Sequence, residues 1–262
     1  MSARVTFADG VGVVTMDWPR QRNALGPAEG EELLAALTRA DQADEAAVVV
    51  LTGNGAFCAG GNLPAILEVV EQGPDAVRDL LYDTFHRVVR LLVRTPKPVL
   101  AAIDGPAVGL GMDLALACDW RAIGPRGWLR QGWGTLGVIP GIGGELLLRR
   151  LAPGLLWSVL ASPGRITPAE AARLGLAVEH PESALDAALQ RAAELAALPR
   201  DTLEGYARLH RESLRDALDG HLRQCLEIQT RLLCAPEFRR RAAEALAGNG
   251  AAGDRAPDER TT

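Results

Sequence analysis

Short apolar runs alternate with amphipathic stretches along the first two thirds of the chain. VTFADGVGVVTMDW predicts two strands around an Asp-Gly turn, and PAEGEELLAALTRAD spaces its leucines for one buried face of a helix. VVVLTG predicts a short buried strand. The same order returns in the helix RDLLYDTFHRVVRLLVR, the strand PVLAAI, the helix GMDLALA and a strand near WRAI. This alternation predicts an α/β fold with a parallel arrangement of strands.

From about Pro168 the strands are expected to stop, and helical segments follow one another. ESALDAALQRAAELAALP, LRDALDGHLRQCLEIQTRLL and PEFRRRAAEALAG carry leucine and alanine stripes, which pack on the core or on a neighbouring subunit because their exposure to water is unfavourable. The sequence from Gly248 is small, polar and unpatterned. We therefore divide the chain into a core over residues 1–190, a helical oligomerisation region over 191–247 and a flexible tail over 248–262.

Composition narrows the class of protein. With 262 residues and 48% hydrophobic content, the chain can bury a full core as a soluble globular protein. It has neither an apolar run of about eighteen residues, which a membrane span requires, nor a signal-peptide pattern, so we expect a cytoplasmic protein. The net charge is −5 and the basic residues are dispersed, apart from the triplet Arg239–Arg241, so nucleic acid is not an expected partner.

The cysteines predict neither a metal site nor a disulfide framework. Cys58, Cys118, Cys225 and Cys234 are scattered, without a CxxC pair and without histidines at metal-ligand spacing. We expect them to be buried free thiols.

Two glycine-rich turns each lead from a buried strand into a helix. In GNGAFCAGGNL, Asn62 is placed to cap the helix, while Ala59, Gly60 and Gly61 let a ligand approach the backbone. The alternative for this loop alone is a tight turn that needs glycine for positive φ. The second turn lies in DGPAVGLGMDLALACDW. If the N–H groups of Ala59 and Leu110 converge, they form an oxyanion hole, which holds an oxygen that becomes negative.

Three segments together resemble the crotonase superfamily, also called the enoyl-CoA hydratase/isomerase family. They are VVVLTGNGAFCAGGNL, TPKPVLAAIDGPAVGLGMDLALACDWRAI and LGVIPGIGGELLLRRL, and RQRNAL and PAEAARLGLAVEH add to the match. The resemblance runs in order from about residue 5 to 180, whereas each motif alone is unspecific.

The resemblance implies a spiral of ββα turns followed by a helical region, assembled as a homotrimer or a dimer of trimers. It also implies an acyl thioester substrate on coenzyme A or an acyl carrier protein, with no cofactor beyond coenzyme A itself and no metal. The oxyanion donors would be the N–H groups of Ala59 and Leu110. Arg20 and Arg22 would meet the phosphates of coenzyme A, and backbone around Ala24 would line the adenine pocket; solvation is the alternative role of these arginines.

Hydratases of this family use two glutamates, and this chain departs from that pattern at both. The first aligns with Asp113, whose carboxylate is one methylene shorter; its alternative role is to satisfy N–H groups in the first turn of its helix. The second aligns with Trp133, whose indole N–H only donates a hydrogen bond. The resemblance therefore implies a member without ordinary alkene hydration, in which Trp133 shapes the acyl pocket.

One relative, the 4-chlorobenzoyl-CoA dehalogenase, also has a tryptophan at the position of Trp133. Its nucleophilic aspartate lines up with Gly141, which argues against dehalogenation here. Its catalytic histidine lines up with His86, for which packing is the alternative role.

The resemblance thus implies an enzyme that acts on an acyl thioester through an enolate held in the oxyanion hole, with proton transfer by Asp113, alone or together with His86. Isomerisation, hydration or other lyase chemistry, decarboxylation, carbon–carbon cleavage and thioester hydrolysis all stay open. The alternative is a catalytically inactive assembly protein or acyl-CoA-binding protein, because the second carboxylate is lost.

Overall fold

The computed structural model describes residues 2–252 of the chain. Its strands are β1 (Arg4–Ala8), β2 (Val11–Met16), β3 (Val48–Gly53), β4 (Val99–Ile103), β5 (Pro106–Val108), β6 (Trp120–Ile123), β7 (Trp128–Arg130) and β8 (Val178–Glu179). Its helices are α1 (Pro27–Gln42), α2 (Leu63–Glu71), α3 (Pro74–Ala76), α4 (Asp83–Arg94), α5 (Leu110–Ala117), α6 (Gly144–Leu151), α7 (Leu155–Ala161), α8 (Pro168–Arg173), α9 (Ala184–Ala196), α10 (Arg200–His210), α11 (Glu212–Leu233) and α12 (Pro236–Ala252). A π-helix, Val77–Tyr82, joins α3 to α4.

The strands form a six-stranded sheet in the order β1-β2-β3-β4-β6-β8 and a second sheet of β5 and β7. Only β1 and β2 are antiparallel; the other described pairs are parallel. The predicted Asp-Gly turn is present, and Asp9 and Gly10 both have positive φ, as a tight hairpin turn requires. The predicted α/β class is confirmed.

The expectation that strands stop near Pro168 is wrong, because β8 extends the sheet beyond β6. With two residues, β8 is too short to show a period in the sequence. The same reason applies to β5 and β7, which have three residues each and were not predicted.

Both faces of the sheet are covered by helices. On one face, Val49 and Leu51 pack in a cluster that includes Leu33 and Leu92 of α1 and α4. On the other, Val48, Val50, Leu100 and Ala102 pack against α9. This α9 contact uses three alanines spaced four residues apart, whose small side chains let the helix approach closely; they are Ala184, Ala188 and Ala192.

The domain boundaries predicted from the sequence need adjustment. The division between residues 190 and 191 falls inside α9, a helix that belongs to the core because it covers the sheet. The predicted tail begins inside α12, which continues to Ala252, so its first five residues, 248–252, are helical. The remainder of that tail, residues 253–262, lies outside the described residues.

Arg211 ties the helical region to the sheet. It lies between α10 and α11 and is 2% exposed. Its guanidinium donates to Asp119 Oδ1 at 2.6 Å, to the Thr95 carbonyl at 2.5 Å and to the Lys97 carbonyl at 2.9 Å. Asp119 also accepts the Val99 N–H at 2.7 Å, so one ion pair anchors the start of β4 and the turn before β6. The geometry satisfies both charged groups, which a buried ion pair requires.

We expect Arg211→Met to lower the free energy of unfolding by about 3 kcal/mol, because the half-buried Asp119 loses its cation and the Thr95 and Lys97 carbonyls lose their donor. Urea denaturation followed by circular dichroism measures this. Arg240→Met is the matched control, because Arg240 pairs with Glu237 and Glu244 on an exposed face of α12, where such pairs contribute about 1 kcal/mol or less. Equal losses in the two variants would contradict an anchoring role for Arg211.

Candidate active site

A cavity of about 350 Å³ lies between the two glycine turns and the helices. The glycine turns contribute backbone, and α12 contributes Phe238 and Ala245 from the opposite end of the chain. Most side chains on the wall are apolar, and they come from seven parts of the fold: Leu63, Ile66, Leu81, Phe85, Val108, Trp133, Leu136, Leu233 and Phe238. A cavity of this size and character is typical of a small-molecule site.

The two glycine turns converge at this cavity. A Cβ atom built on Gly60 would lie 2.9 Å from the Val108 carbonyl oxygen and 4.0 Å from the Leu110 nitrogen, so only glycine fits there. Gly60 also has a φ of 104°, which L side chains rarely adopt. Leu110 begins α5, and its N–H has no backbone acceptor among the described residues. The sequence-based expectation that two turns face one another therefore holds for Leu110.

On the first turn, the donor predicted from the sequence is displaced by one or two residues. The Ala59 N–H donates to the Arg22 carbonyl at 2.9 Å and is not directed to the cavity. The N–H groups of Gly60 and Gly61 have no acceptor among the described residues, and both glycines line the cavity. The assignment of Ala59 as a donor is therefore wrong in this structure.

Pairing between this turn and the segment RQRNAL explains the displacement. Leu25 donates to the Gly60 carbonyl at 2.8 Å, and Asn62 donates to the Leu25 carbonyl at 2.9 Å, which makes a parallel bridge between Leu25 and Gly61. In this parallel bridge Leu25 directs both its N–H and its carbonyl to the glycine turn, whereas the N–H of Gly61 points away from Leu25. The Gly61 N–H is thereby turned away from RQRNAL. The predicted cap is also present, since Asn62 accepts the Ala65 N–H.

The loop that carries Arg20, Arg22 and Ala24 lies beside the first glycine turn, outside the cavity wall. Both arginines are exposed and Ala24 is half-buried. Buried Asn23 fixes this loop: its Nδ2 donates to the Ala56 carbonyl at 2.7 Å and its Oδ1 accepts the Trp18 N–H at 2.7 Å. The role of the loop in binding coenzyme A stays a prediction.

Asp113 lies on α5 as predicted, but its carboxylate is enclosed. It is 0% exposed and is not on the cavity wall. Its Oδ1 accepts from Gln131 Nε2 at 2.9 Å, and its Oδ2 accepts from the Trp133 indole N–H at 3.0 Å. Trp133 lines the cavity and donates to the carboxylate from behind the wall, so Asp113 does not contact the cavity here, and its role in proton transfer stays a prediction. The alternative of capping the first turn is wrong, since both described acceptor contacts go to side chains.

Burial raises the pKa of Asp113 to about 7, and the hydrogen bonds from Trp133 and Gln131 offset part of the rise. Gly144, the first residue of α6, closes the other side of the carboxylate. A Cβ atom on Gly144 would lie 2.0 Å from Asp113 Oδ1. The carboxylate is thus a buried acceptor that orients the indole, and Trp133 presents its ring to the cavity while its N–H is engaged behind it.

His86 and Gly141 have structural positions. His86 is buried, and its Nε2 donates to the Gly141 carbonyl at 2.9 Å. Burial lowers the pKa of His86, with the Gly141 carbonyl acting in the opposite direction. Neither residue is on the described cavity wall, and the catalytic role of His86 and a backbone contact of Gly141 with the substrate stay predictions. The contacts of His86 in the structure are those of its alternative role, packing.

Sequence reasoning missed Tyr82 and Gln229, which both line the cavity. Tyr82 ends the π-helix and Gln229 lies near the end of α11. Neither belongs to a recognisable motif, and the two are far apart in sequence, so only the folded chain brings them to one cavity.

Known proteins resemble this chain in sequence. The family described as Enoyl-CoA hydratase/isomerase matches residues 6–245. The chain is 34% identical over 243 residues to the "Probable enoyl-CoA hydratase EchA14" of Mycobacterium tuberculosis, covering 90% of this chain and 93% of that protein. It is 35% identical over 155 residues to 4-chlorobenzoyl coenzyme A dehalogenase-2 of an Arthrobacter species, covering 56% of this chain and 54% of that protein.

Solved structures share the fold. A crystal structure of an enoyl-CoA hydratase/isomerase from Mycobacterium paratuberculosis superimposes with a TM-score of 0.86, at 24% identity, over 93% of this chain and 98% of that one. The α/β architecture with its helical region is therefore that of the crotonase superfamily.

We expect Asp113 to make stability fall as the pH rises. Its carboxyl has an ordinary pKa of 3.8 and a folded pKa of about 7, so between these values the folded chain keeps a proton that the unfolded chain has lost. The free energy of unfolding then decreases from about pH 4 to about pH 7, by roughly 4 kcal/mol in all, and levels off above pH 7.

Asn cannot titrate, so the stability of the wild type relative to Asp113→Asn should decline over the same pH range. Urea denaturation at pH 5 and pH 8 measures the difference. Glu71→Gln, at an exposed carboxylate of α2, is the control that should follow the wild type. Parallel pH profiles for the wild type and Asp113→Asn would show that Asp113 is ionised in the folded protein at both pH values.

Proposed function

The chain belongs to the enoyl-CoA hydratase/isomerase family, and we propose that it binds an acyl-CoA thioester in the cavity and stabilises the enolate of its acyl group. The observation that carries the proposal is the convergence of uncommitted N–H groups from two glycine turns on one apolar cavity. An acyl-carrier-protein thioester would present the same reacting group. The assembly as a trimer or dimer of trimers and the cytoplasmic location stay predictions.

The thioester carbonyl oxygen would accept hydrogen bonds from Leu110 and from the Gly60–Gly61 segment. When the α-carbon loses a substituent, the electron pair moves onto this oxygen, and the two donors stabilise the negative charge. Leu110 also begins α5, whose dipole places partial positive charge at the same end. Each donor of this kind lowers the transition state by about 3 to 4 kcal/mol in a site that excludes water.

Proton transfer by paired carboxylates is not supported by this geometry. Trp133 replaces one carboxylate, and Asp113 is enclosed behind it with both oxygens engaged. The described residues on the cavity wall include two ionisable side chains, Tyr82 and Arg130. Burial raises the pKa of Tyr82, so its phenol stays protonated and donates rather than acting as a base.

Reactions that reach the enolate without a carboxylate base therefore fit best. Loss of a β-carboxylate is the simplest case: the carbon–carbon bond breaks, its electron pair enters the enolate, carbon dioxide leaves and an O–H group protonates the α-carbon. The phenol of Tyr82 is the donor on the described cavity wall with this capacity, and the phenolate that remains takes a proton from water when the product leaves. Hydration by paired carboxylates lacks its second group, because Trp133 stands at the aligned position and Asp113 is enclosed behind it.

The second candidate function is binding of an acyl-CoA without turnover. The enclosure of Asp113 behind Trp133 favours it, because the one carboxylate that aligns with a catalytic residue of the family does not contact the cavity. The available N–H groups favour the enzyme.

We expect Leu110→Pro to reduce turnover by about 100-fold or more, because it removes one N–H donor. Leu110 is the first residue of α5, a position where a helix tolerates proline. Leu110→Ala, which keeps the N–H and shortens the side chain, is the matched control and should lose far less. Steady-state rates on the best substrate of an acyl-CoA panel measure both variants. Equal rates in Leu110→Pro and Leu110→Ala would show that the thioester carbonyl does not bind at the Leu110 N–H.

A second prediction concerns Asp113 as a base. Incubation of the protein with acyl-CoAs in D2O, including thioesters that carry a β-carboxylate, reports deuterium at the α-carbon by mass spectrometry. We expect Asp113→Asn to keep deuterium incorporation within about tenfold of the wild type, since proton transfer by a side chain contributes roughly 100-fold or more. A loss of deuterium incorporation greater than tenfold would show that Asp113 acts in proton transfer. No incorporation or turnover with any thioester would favour the binding protein.

A further inference from the structure

We infer that Tyr82 and Gln229 form a polar subsite that binds an oxygen of the acyl group, so that the preferred acyl group is apolar and carries a hydroxyl or carbonyl oxygen. The inference rests on the proposed function, because it places the acyl group in the cavity. Tyr82 and Gln229 come from two different helical elements, and both line a wall that is otherwise mainly apolar.

The orientation of the Gln229 carboxamide is fixed. Gln229 is 0% exposed, and its Oε1 accepts the Ile139 N–H at 2.9 Å. Because this oxygen must face a donor, the amide nitrogen must lie on the other side. Its Nε2 is buried and has no hydrogen-bond acceptor among the described residues. A buried amide without an acceptor is unfavourable, and such groups in native proteins usually have a partner.

The Tyr82 phenol is also held in place. Its ring packs edge-on against Phe85, with centroids 6.3 Å apart, and lies 5.5 Å from the ring of His86. Gly141 provides the space for it, since a Cβ atom there would lie 2.4 Å from the Tyr82 hydroxyl. The π-helix that ends at Tyr82 is a rare conformation that is often found at functional sites. The phenol is therefore a rigid donor on the cavity wall.

The same residues hold the segment between Ile139 and Gly141 from both sides. Gln229 accepts from Ile139, and His86 donates to the Gly141 carbonyl. These contacts give a structural role to the buried His86 and to Gly141, neither of which belongs to the oxyanion hole. Their contacts position the phenol and the carboxamide together, so the subsite is formed before a ligand arrives.

The Gln229 amide nitrogen and the Tyr82 phenol are neighbours, and neither makes a well-formed hydrogen bond to an acceptor among the described residues, so together they select an oxygen in the ligand. Burial raises the pKa of Tyr82, and the neighbouring Gln229 carboxamide offsets part of the rise, so the phenol is neutral. A neutral phenol and an amide nitrogen together donate to a hydroxyl or carbonyl oxygen, whereas the apolar wall takes up the carbon skeleton. A hydroxylated aromatic acyl group has this chemistry.

Isothermal titration calorimetry with benzoyl-CoA and its 2-, 3- and 4-hydroxy derivatives tests the subsite by affinity alone, because these thioesters have no enolisable α-carbon and cannot turn over. For the wild type, we expect a hydroxylated thioester to bind at least tenfold more tightly than benzoyl-CoA. In Tyr82→Phe and in Gln229→Leu, this preference should fall below threefold, while the affinity for benzoyl-CoA itself changes little. Thr135→Val is the matched control, because the Thr135 hydroxyl lies on the same wall but donates to the Gly132 carbonyl at 2.6 Å. It should keep the preference.

Equal affinity of the wild type for all four thioesters would overturn the subsite, and so would a preference that survives in Tyr82→Phe. Gln229→Leu leaves the Ile139 N–H without its acceptor. If Gln229→Leu does not fold, Tyr82→Phe decides the outcome, because it keeps the packing of the ring. Failure of every acyl-CoA to bind more tightly than coenzyme A alone would instead reject the proposed function.

Discussion

The close contact between the two glycine turns is the constraint on which the site depends. A Cβ atom on Gly111 would lie 2.1 Å from the Cys58 carbonyl oxygen. A Cβ atom on Gly60 would lie 2.9 Å from the Val108 carbonyl oxygen. Backbone therefore packs directly on backbone, and side chains are excluded from the contact. The start of α5 and the Gly60–Gly61 segment reach the same cavity for this reason, and their N–H groups are left without acceptors.

The second determinant is the buried group of Asp113, Gln131 and Trp133. A carboxylate in this position could transfer protons if it reached the acyl group. Here the Trp133 indole lines the cavity, and its N–H donates to the carboxyl group of Asp113 behind it. The carboxyl group therefore fixes the orientation of the indole ring. Trp133 stands where hydratases of the family have their second glutamate, and the same side chain encloses Asp113, which stands at the position of the first. One residue, Trp133, changes both the shape and the chemistry of the site.

The sequence was most informative where the physical signal is local. The Asp-Gly turn, the leucine spacing of α1 and the glycine turns each follow from short-range rules, and all are present. The donor on the first turn was misplaced because the pairing of Leu25 with Gly61 sets which N–H groups point to the cavity, and no periodicity records that pairing. Asp113 was placed on the right helix, but its partners come from a different turn. Tyr82 and Gln229 meet only through the packing of the π-helix and α11.

The central claim is that N–H groups from both turns polarise the thioester carbonyl. Isotope-edited infrared spectroscopy of a bound acyl-CoA labelled with ¹³C at the thioester carbonyl measures that polarisation directly. The account predicts that the carbonyl stretch of the bound thioester lies at lower frequency than that of the free thioester in water, and that Leu110→Pro reverses part of the shift while Leu110→Ala does not. A bound thioester whose carbonyl frequency equals that in water, or a shift that Leu110→Pro leaves unchanged, would contradict it.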